Sequence, residues 1–286
     1  MTIATDQTHL LSKQYHNADN LHARVNLHKR FSASQFDFWG WMFDQLVTLT
    51  SDNTEPSADT EPRRILELGC GSGLIWRANR ERIPTNWQIT LSDFSTGMLA
   101  ESQQALGDIE NITKFKVIDA QDIPYEAATF DLIIANFMLY HVPDLDKAVH
   151  EIRRILKPGG QLIAATNGDK HMLELEQLAD SWLSELDVSK AFSPAVTLSF
   201  RLETGHDILK QQFDNVNLQP IPASRLEVTE AQPILDYALS MNRFRSDTLE
   251  ADVLANIIKY AEQDLEQRLS TGPIIINKAS GLFIVS

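Results

Sequence analysis

At 286 residues with 43% hydrophobic content, the chain can bury a full α/β core and reads as one elaborated unit, not two independent domains. A formal charge of −14 argues against a nucleic-acid partner, because no basic run offsets the acidic balance. The one cysteine, Cys70, excludes a disulfide framework and an all-cysteine metal site, and with no signal-peptide pattern at Met1 to Asp6 and no apolar run near ~20 residues, a soluble cytoplasmic protein with no membrane partner is expected.

Residues 19–49 read as amphipathic helices, with Phe36, Trp39, Phe43 and Leu46 or Val47 at helical spacing. A polar stretch from Thr50 to Pro62 follows. The apolar run Ile65-Leu66-Glu67-Leu68 is too short for a free-standing helix and is predicted as a buried parallel strand, ending in the glycine-rich turn Gly69-Cys70-Gly71-Ser72-Gly73. A dinucleotide loop would place a third glycine where Leu74 stands, which disfavours a Rossmann-type oxidoreductase, and no Gly-Lys-Ser/Thr triplet marks a P-loop. Cys70 reads as a small residue in a crowded turn, since nothing nearby argues for a thiolate.

The next strand, Trp87 to Asp93, ends in an acid 20 residues after Gly73, the separation at which α/β nucleotide sites set a carboxylate against ribose hydroxyls. Ser95 can cap a helix running to about Leu106. A third strand runs from Thr113 to Asp119, followed by Ala120-Gln121-Asp122-Ile123-Pro124, and a fourth from Phe130 to Asn136, followed by Phe137-Met138-Leu139-Tyr140-His141. In a parallel sheet Glu67, Asp93, Asp119 and Asn136 therefore share one edge and one crevice. A helix from Asp144 to Lys157 is predicted to stop at Pro158-Gly159-Gly160, with a fifth strand over Gln161 to Thr166. Beyond it come a mostly helical segment from Lys170 to Phe213, a strand from Asn215 to Ile221, helix over 230–270 and a closing strand from Pro273 to Val285.

In family order and at family spacing, the Glu67 to Gly73 loop, Asp93-Phe94-Ser95-Thr96-Gly97-Met98-Leu99, Asp119 to Pro124, Phe130 to Asn136 and Leu156-Lys157-Pro158-Gly159-Gly160 resemble the class I S-adenosylmethionine-dependent methyltransferases of small-molecule type. The resemblance spans roughly residues 63–167. It implies an α/β fold with a Rossmann-like seven-stranded, mostly parallel sheet flanked by helices, and N- and C-terminal helical lid elements. The implied division is an N-terminal helical cap over 1–50, a core over 63–222 with a lid-like insertion at 170–213, and a helical extension with a closing strand over 223–286. It also implies S-adenosyl-L-methionine as cofactor, S-adenosyl-L-homocysteine as product and a small-molecule methyl acceptor. Gly69, Cys70, Gly71 and Gly73 would pack on the methionine part, with Glu67 near its amino group. Asp93 would hold the ribose hydroxyls, Phe94 and Met98 would flank the adenine, Asp119 with Ala120 and Gln121 would read its edge, and Asn136 would sit by the amino-acid end. Tyr15 would close over the methionine end.

Methyl transfer needs an acceptor atom held in line with the methyl carbon, and a base where the acceptor must lose a proton. His141, just past the fourth strand, is the catalytic candidate, with turn capping as its alternative role. His171 reads as an exposed first-turn helix residue, second to His141 as a base. Periodicity assigns Phe36 and Trp39 to packing and leaves Trp41 open to an acceptor pocket. Asp119 and Asp122 read as adenine-binding and turn-capping residues, so no metal is expected. A sensor or partner subunit that binds the cofactor without catalysis shares every one of these motifs.

Overall fold

In a computed structural model, which describes residues 5–7, 19–34, 36–50, 61–186, 199–222, 225–241, 244 and 250–286, seven strands form one sheet in the order β3-β2-β1-β4-β5-β9-β6. These are β1 (Arg63–Leu68), β2 (Trp87–Asp93), β3 (Ile112–Val117), β4 (Phe130–Ile134), β5 (Leu156–Asn167), β6 (Val216–Pro220) and β9 (Ser280–Val285). β1 to β5 run parallel to one another, and β9 runs antiparallel between β5 and β6. The predicted sheet is thus the observed one. Continuous apolar runs such as Leu132 to Ile134 and Leu162 to Ala165 suit strands covered on both faces.

On one face, α2 (Phe38–Thr50), α3 (Leu74–Ala78) and α4 (Thr96–Leu106) bury Met42, Phe43, Trp76 and Leu106 against Ile65, Ile89 and Leu91. The Ser95 hydroxyl accepts the Met98 N–H, which caps α4 as predicted. On the other face, α5 (Leu145–Ile155) and α7 (Leu202–Leu209) pack Val149, Ile152 and Leu209 against Leu66, Ile133 and Phe283. α5 stops two residues short of its predicted end and Leu156 already pairs with Phe130. The cause is local: Pro158 disfavours helical backbone at Lys157, and Gly159 takes φ +78.

A third apolar core stands over the carboxyl edge of the sheet. It is built from α1 (Asp19–Phe31), α6 (Leu173–Glu185), α8 (Ala231–Leu239), α9 (Ala251–Leu269) and a two-stranded sheet of β7 (Arg225–Val228) and β8 (Ile274–Asn277). Leu27, Trp182, Leu235, Ile257 and Ile276 fill it. Two sequence expectations change here. The stretch predicted as one closing strand bends at Lys278, so that β8 serves the cap and β9 the main sheet, and β7 lies where no strand was predicted. Of the segment at 170–213, α6 joins the cap, whereas α7 lies on the main sheet with Gly205 against Phe283 and Phe200.

Candidate functional site at the carboxyl edge

The carboxyl ends of the parallel strands open into a cavity of about 980 Å³ roofed by the cap, and Glu67, Asp93, Asp119, Asn136 and Asn167 all line it. Each sits at or just beyond the end of its strand, the position at which open α/β sheets hold ligands. Gly69, Gly71 and Gly73 take φ of +67, +54 and +72. A Cβ at Gly69 would stand 2.7 Å from the Met138 Cβ, so the backbone there runs too close to its neighbour for any side chain.

The acids at the strand ends differ in their surroundings. Asp93 accepts the Gly71 N–H at 2.9 Å and the Ser95 N–H at 2.8 Å, tying the glycine loop to the start of α4. Burial raises its pKa even so. Glu67, 3% exposed, accepts Trp76 Nε1–H at 2.5 Å, and Trp76 is itself held edge-on by Phe43 and Trp87. Burial, with Asp93 close by, lifts the Glu67 pKa to about 7 against the pull of the Trp76 bond. Asp119 accepts the Gln121 N–H, the Gln121 side chain and Gln7 Nε2. Burial raises its pKa, but these donors outweigh it and leave the carboxyl below its ordinary value.

Two polar side chains of the cavity wall are orphaned. Among the described residues, the Asn136 amide nitrogen and oxygen and the Ser72 hydroxyl are buried without a hydrogen-bond partner. Buried polar groups left unpaired cost free energy, so their presence in a cavity wall is what a polar ligand would resolve. Cys70, also in the wall, is buried, and burial together with Asp93 and Glu67 pushes its thiol pKa well above the ordinary range. It is therefore inert.

Of the predicted cofactor residues, Phe94, Met98 and Ala120 also line the cavity. Gly73 and Gln121 do not: a Cβ at Gly73 would meet Leu106, and the Gln121 side chain bonds Asp119 and the Asp144 N–H. They support the wall from behind. Tyr15 lies outside the described residues.

His141 ends a short 3₁₀ turn from Leu139 and lines the cavity with its ring edge-on to Tyr140 at 4.5 Å between centroids. Phe137, at φ +53, is held against Phe38 beside it. Phe36 and Trp39, expected as packing residues, line the cavity, while Trp41 stacks behind them on Phe36 and Phe38. His171 departs from its expected exposed helical position. It sits in the turn between β5 and α6, accepts the Ala279 N–H at Nδ1 and faces His28 across 6.4 Å, because the chain at 167–171 folds back onto the bend between β8 and β9. His28, Arg24 and Lys278 complete that side of the cavity and were missed, since they come from segments more than 240 residues apart with no motif linking them. Among the described residues no cluster of His, Cys, Asp or Glu is arranged to hold a metal ion, and no helix is long and apolar enough to cross a membrane.

Residues 66–164 match a family described as methyltransferase domain. A ubiquinone/menaquinone biosynthesis C-methyltransferase from Hydrogenovibrio crunogenus is 34% identical over 102 residues, 35% of this chain and 40% of that protein. A polyketide synthase–nonribosomal peptide synthetase from Pyricularia oryzae is 35% identical over 104 residues, 35% of this chain and 3% of that protein. The chain thus spans only a small part of the curated relatives it matches. Among solved structures, phosphoethanolamine N-methyltransferase 2 from Haemonchus contortus, in complex with S-adenosyl-L-methionine, superposes with a TM-score of 0.56 at 19% identity, over 98% of this chain and 59% of that one. The carbon methyltransferase CurJ gives 0.55 at 14% identity, over 98% and 60%. The shared fold is the Rossmann-like methyltransferase fold.

Proposed function

We propose that this chain, a class I methyltransferase by its domain match and its fold, binds S-adenosylmethionine along the carboxyl edge of its sheet and methylates a small molecule held beneath the cap. The observation that carries the reading is the Asn136 side chain in the cavity wall, whose donor and acceptor are both buried and, among the described residues, unpaired. An amino-acid end offers the acceptor and donor that such an amide lacks. Gly69 and Gly71 stand in the cavity wall with left-handed backbone, so a ligand there meets bare peptide, which fits the same group.

When bound, S-adenosylmethionine supplies a methyl group already activated on sulfur. The protein's own tasks are to bind, orient and exclude water. Asp93 offers its carboxylate to the ribose hydroxyls while fixing Gly71, and Phe94 and Met98 present apolar faces to the base. Asp119 and Ala120 meet the base edge. Glu67 would face the ammonium of the methionine end, whose positive charge would draw its raised pKa back down. Phe36, Phe38, Trp39 and Phe137 keep the acceptor side dry, and His141 is the group positioned to take or steer an acceptor proton. Solved structures named for carbon and for nitrogen methylation share this fold, so the fold does not select the acceptor atom.

Titration calorimetry tests the reading. S-adenosylhomocysteine is expected to bind one-to-one and NAD not at all, and Asp93→Ala is expected to weaken binding by about tenfold or more, as loss of hydrogen bonds to a charged group implies. Binding of NAD in place of the adenosyl ligand, or an Asp93→Ala affinity equal to the parent's, would refute it.

A further inference from the structure

The cavity extends well past the part that the cofactor reading uses. Neighbouring strands lie about 4.8 Å apart, so from Asp93 at the end of β2, across β1, β4 and β5, to Ser280 at the start of β9 is about 19 Å. At that far end stand Lys278, Ser32, His28 and His171, brought together from the bend between β8 and β9, the end of α1 and the turn after β5.

The charge balance there is the reverse of the rest of the molecule. The chain has 39 acidic and 25 basic side chains, yet among the described residues no carboxylate pairs with Lys278. Its ammonium donates to the Ser32 hydroxyl at 3.0 Å, and burial lowers its pKa with no acid pulling it back. Arg24, also in the wall, directs its guanidinium at the Ser240 hydroxyl and carbonyl. A half-buried cation left with only a hydroxyl is costly unless an anion comes to it.

The two imidazoles add donors without adding charge. His171 Nδ1 accepts the Ala279 N–H at 3.2 Å, which leaves the ring proton on Nε2. Burial first, then His28 and Lys278, push the His171 pKa down to about 3, and burial with Lys278 and Arg24 push that of His28 to about 4. Both rings are neutral at pH 7. Arg24 already gives its guanidinium to Ser240, so Lys278, set among neutral hydroxyl and imidazole donors, is the ammonium that meets a ligand here, and one such contact matches an anion of single charge.

We propose that this end of the cavity is a carboxylate site: the methyl acceptor is a small carboxylic acid whose carboxylate is held by Lys278, with Ser32 and the His28 and His171 ring nitrogens around it. The proposal rests on the methyl-transfer reading of the cavity and narrows it to one substrate class. The apolar wall of Phe36, Phe38 and Trp39 would take the acceptor's carbon framework, so the acid fixes orientation from one end while the reacting atom faces Asn136 and His141.

Calorimetric titration of the protein saturated with S-adenosylhomocysteine tests it, with benzoate, benzamide, benzylamine and phenyl phosphate as probes on the parent, Lys278→Met and Lys278→Arg. Benzoate is expected to bind about tenfold or more tighter than benzamide, as loss of a charge-assisted bond implies, and benzylamine not at all. Lys278→Met is expected to abolish that preference with benzamide and S-adenosylhomocysteine affinities unchanged, and Lys278→Arg, which restores a charge, to keep it. Benzoate binding no tighter than benzamide, phenyl phosphate binding tighter than benzoate, or a preference untouched in Lys278→Met would each overturn the carboxylate site. A parent that takes S-adenosylhomocysteine but no benzoate overturns this proposal alone; a parent that takes no S-adenosylhomocysteine overturns the methyl-transfer reading instead.

Discussion

Glu67→Gln is expected to make the free protein more stable and its cofactor binding weaker. The side chain is buried at the end of β1, and its pKa is raised from an ordinary 4.5 to about 7 in the folded state. The unfolded chain gives up this proton near pH 4.5, while the folded chain keeps it until about pH 7. Folding therefore loses stability as pH rises across that window, and the loss is complete above pH 7, where it amounts to on the order of 3 kcal/mol. Glutamine keeps an oxygen for Trp76 Nε1–H and has nothing to titrate. Urea unfolding without ligand, at pH 5 and pH 8, is expected to show the stability advantage of Glu67→Gln over the parent widening by about 2 kcal/mol at the higher pH. Calorimetry at pH 8 is expected to show S-adenosylhomocysteine binding the variant about tenfold more weakly, the loss of one charge-assisted contact to its ammonium. A stability difference that is the same at both pH values would refute the assignment of a buried, displaced carboxyl. Unchanged affinity would remove Glu67 from the methionine end.

Gly69→Ala should lose about 2 kcal/mol or more in the same unfolding assay, because φ +67 disfavours a side chain and the new Cβ would overlap Met138; a loss below 0.5 kcal/mol, about the scatter of neutral surface changes, would mean the loop is not so tightly set. Cys70 should resist a thiol reagent such as dithionitrobenzoate at pH 8 until denaturant is added, since its thiol is buried and its pKa raised; prompt labelling of the folded protein would contradict the wall as described. His141→Gln separates chemistry from support once an acceptor is in hand. As a base it should cost about 100-fold or more in single-turnover rate, with S-adenosylhomocysteine affinity unchanged, whereas a rate within about threefold of the parent would restrict it to holding the turn.

Local chemistry explains which features the sequence disclosed. The sheet and its crevice were legible because each strand carries its signal within a few residues: an apolar run, a turn and a polar residue at the end, as at Leu68 to Gly73 and Trp87 to Asp93. Ser95 as a cap was legible for the same reason. The helices of the cap were legible as lid elements, but its two-stranded sheet was not, because β7 and β8 are four-residue strands whose pairing depends on contacts between residues 225–228 and 274–277, far apart in the chain. His171 looked like an exposed helical residue because nothing in its neighbourhood reveals that Ala279 and Ser280 fold over it. Phe36 and Trp39 show the limit of periodicity. It identifies the face of a helix that meets other groups but does not distinguish a core from a cavity wall.

A crystal structure of the protein with S-adenosylhomocysteine tests the central claim most directly. The expected result is a ligand with its ribose hydroxyls on the Asp93 carboxylate and its amino-acid end within hydrogen-bond distance of Asn136 and near Glu67. Its sulfur should open toward the half of the cavity that holds His28 and Lys278. Ligand bound in the opposite sense along the sheet edge, or bound elsewhere with Asn136 still unpaired, would contradict it.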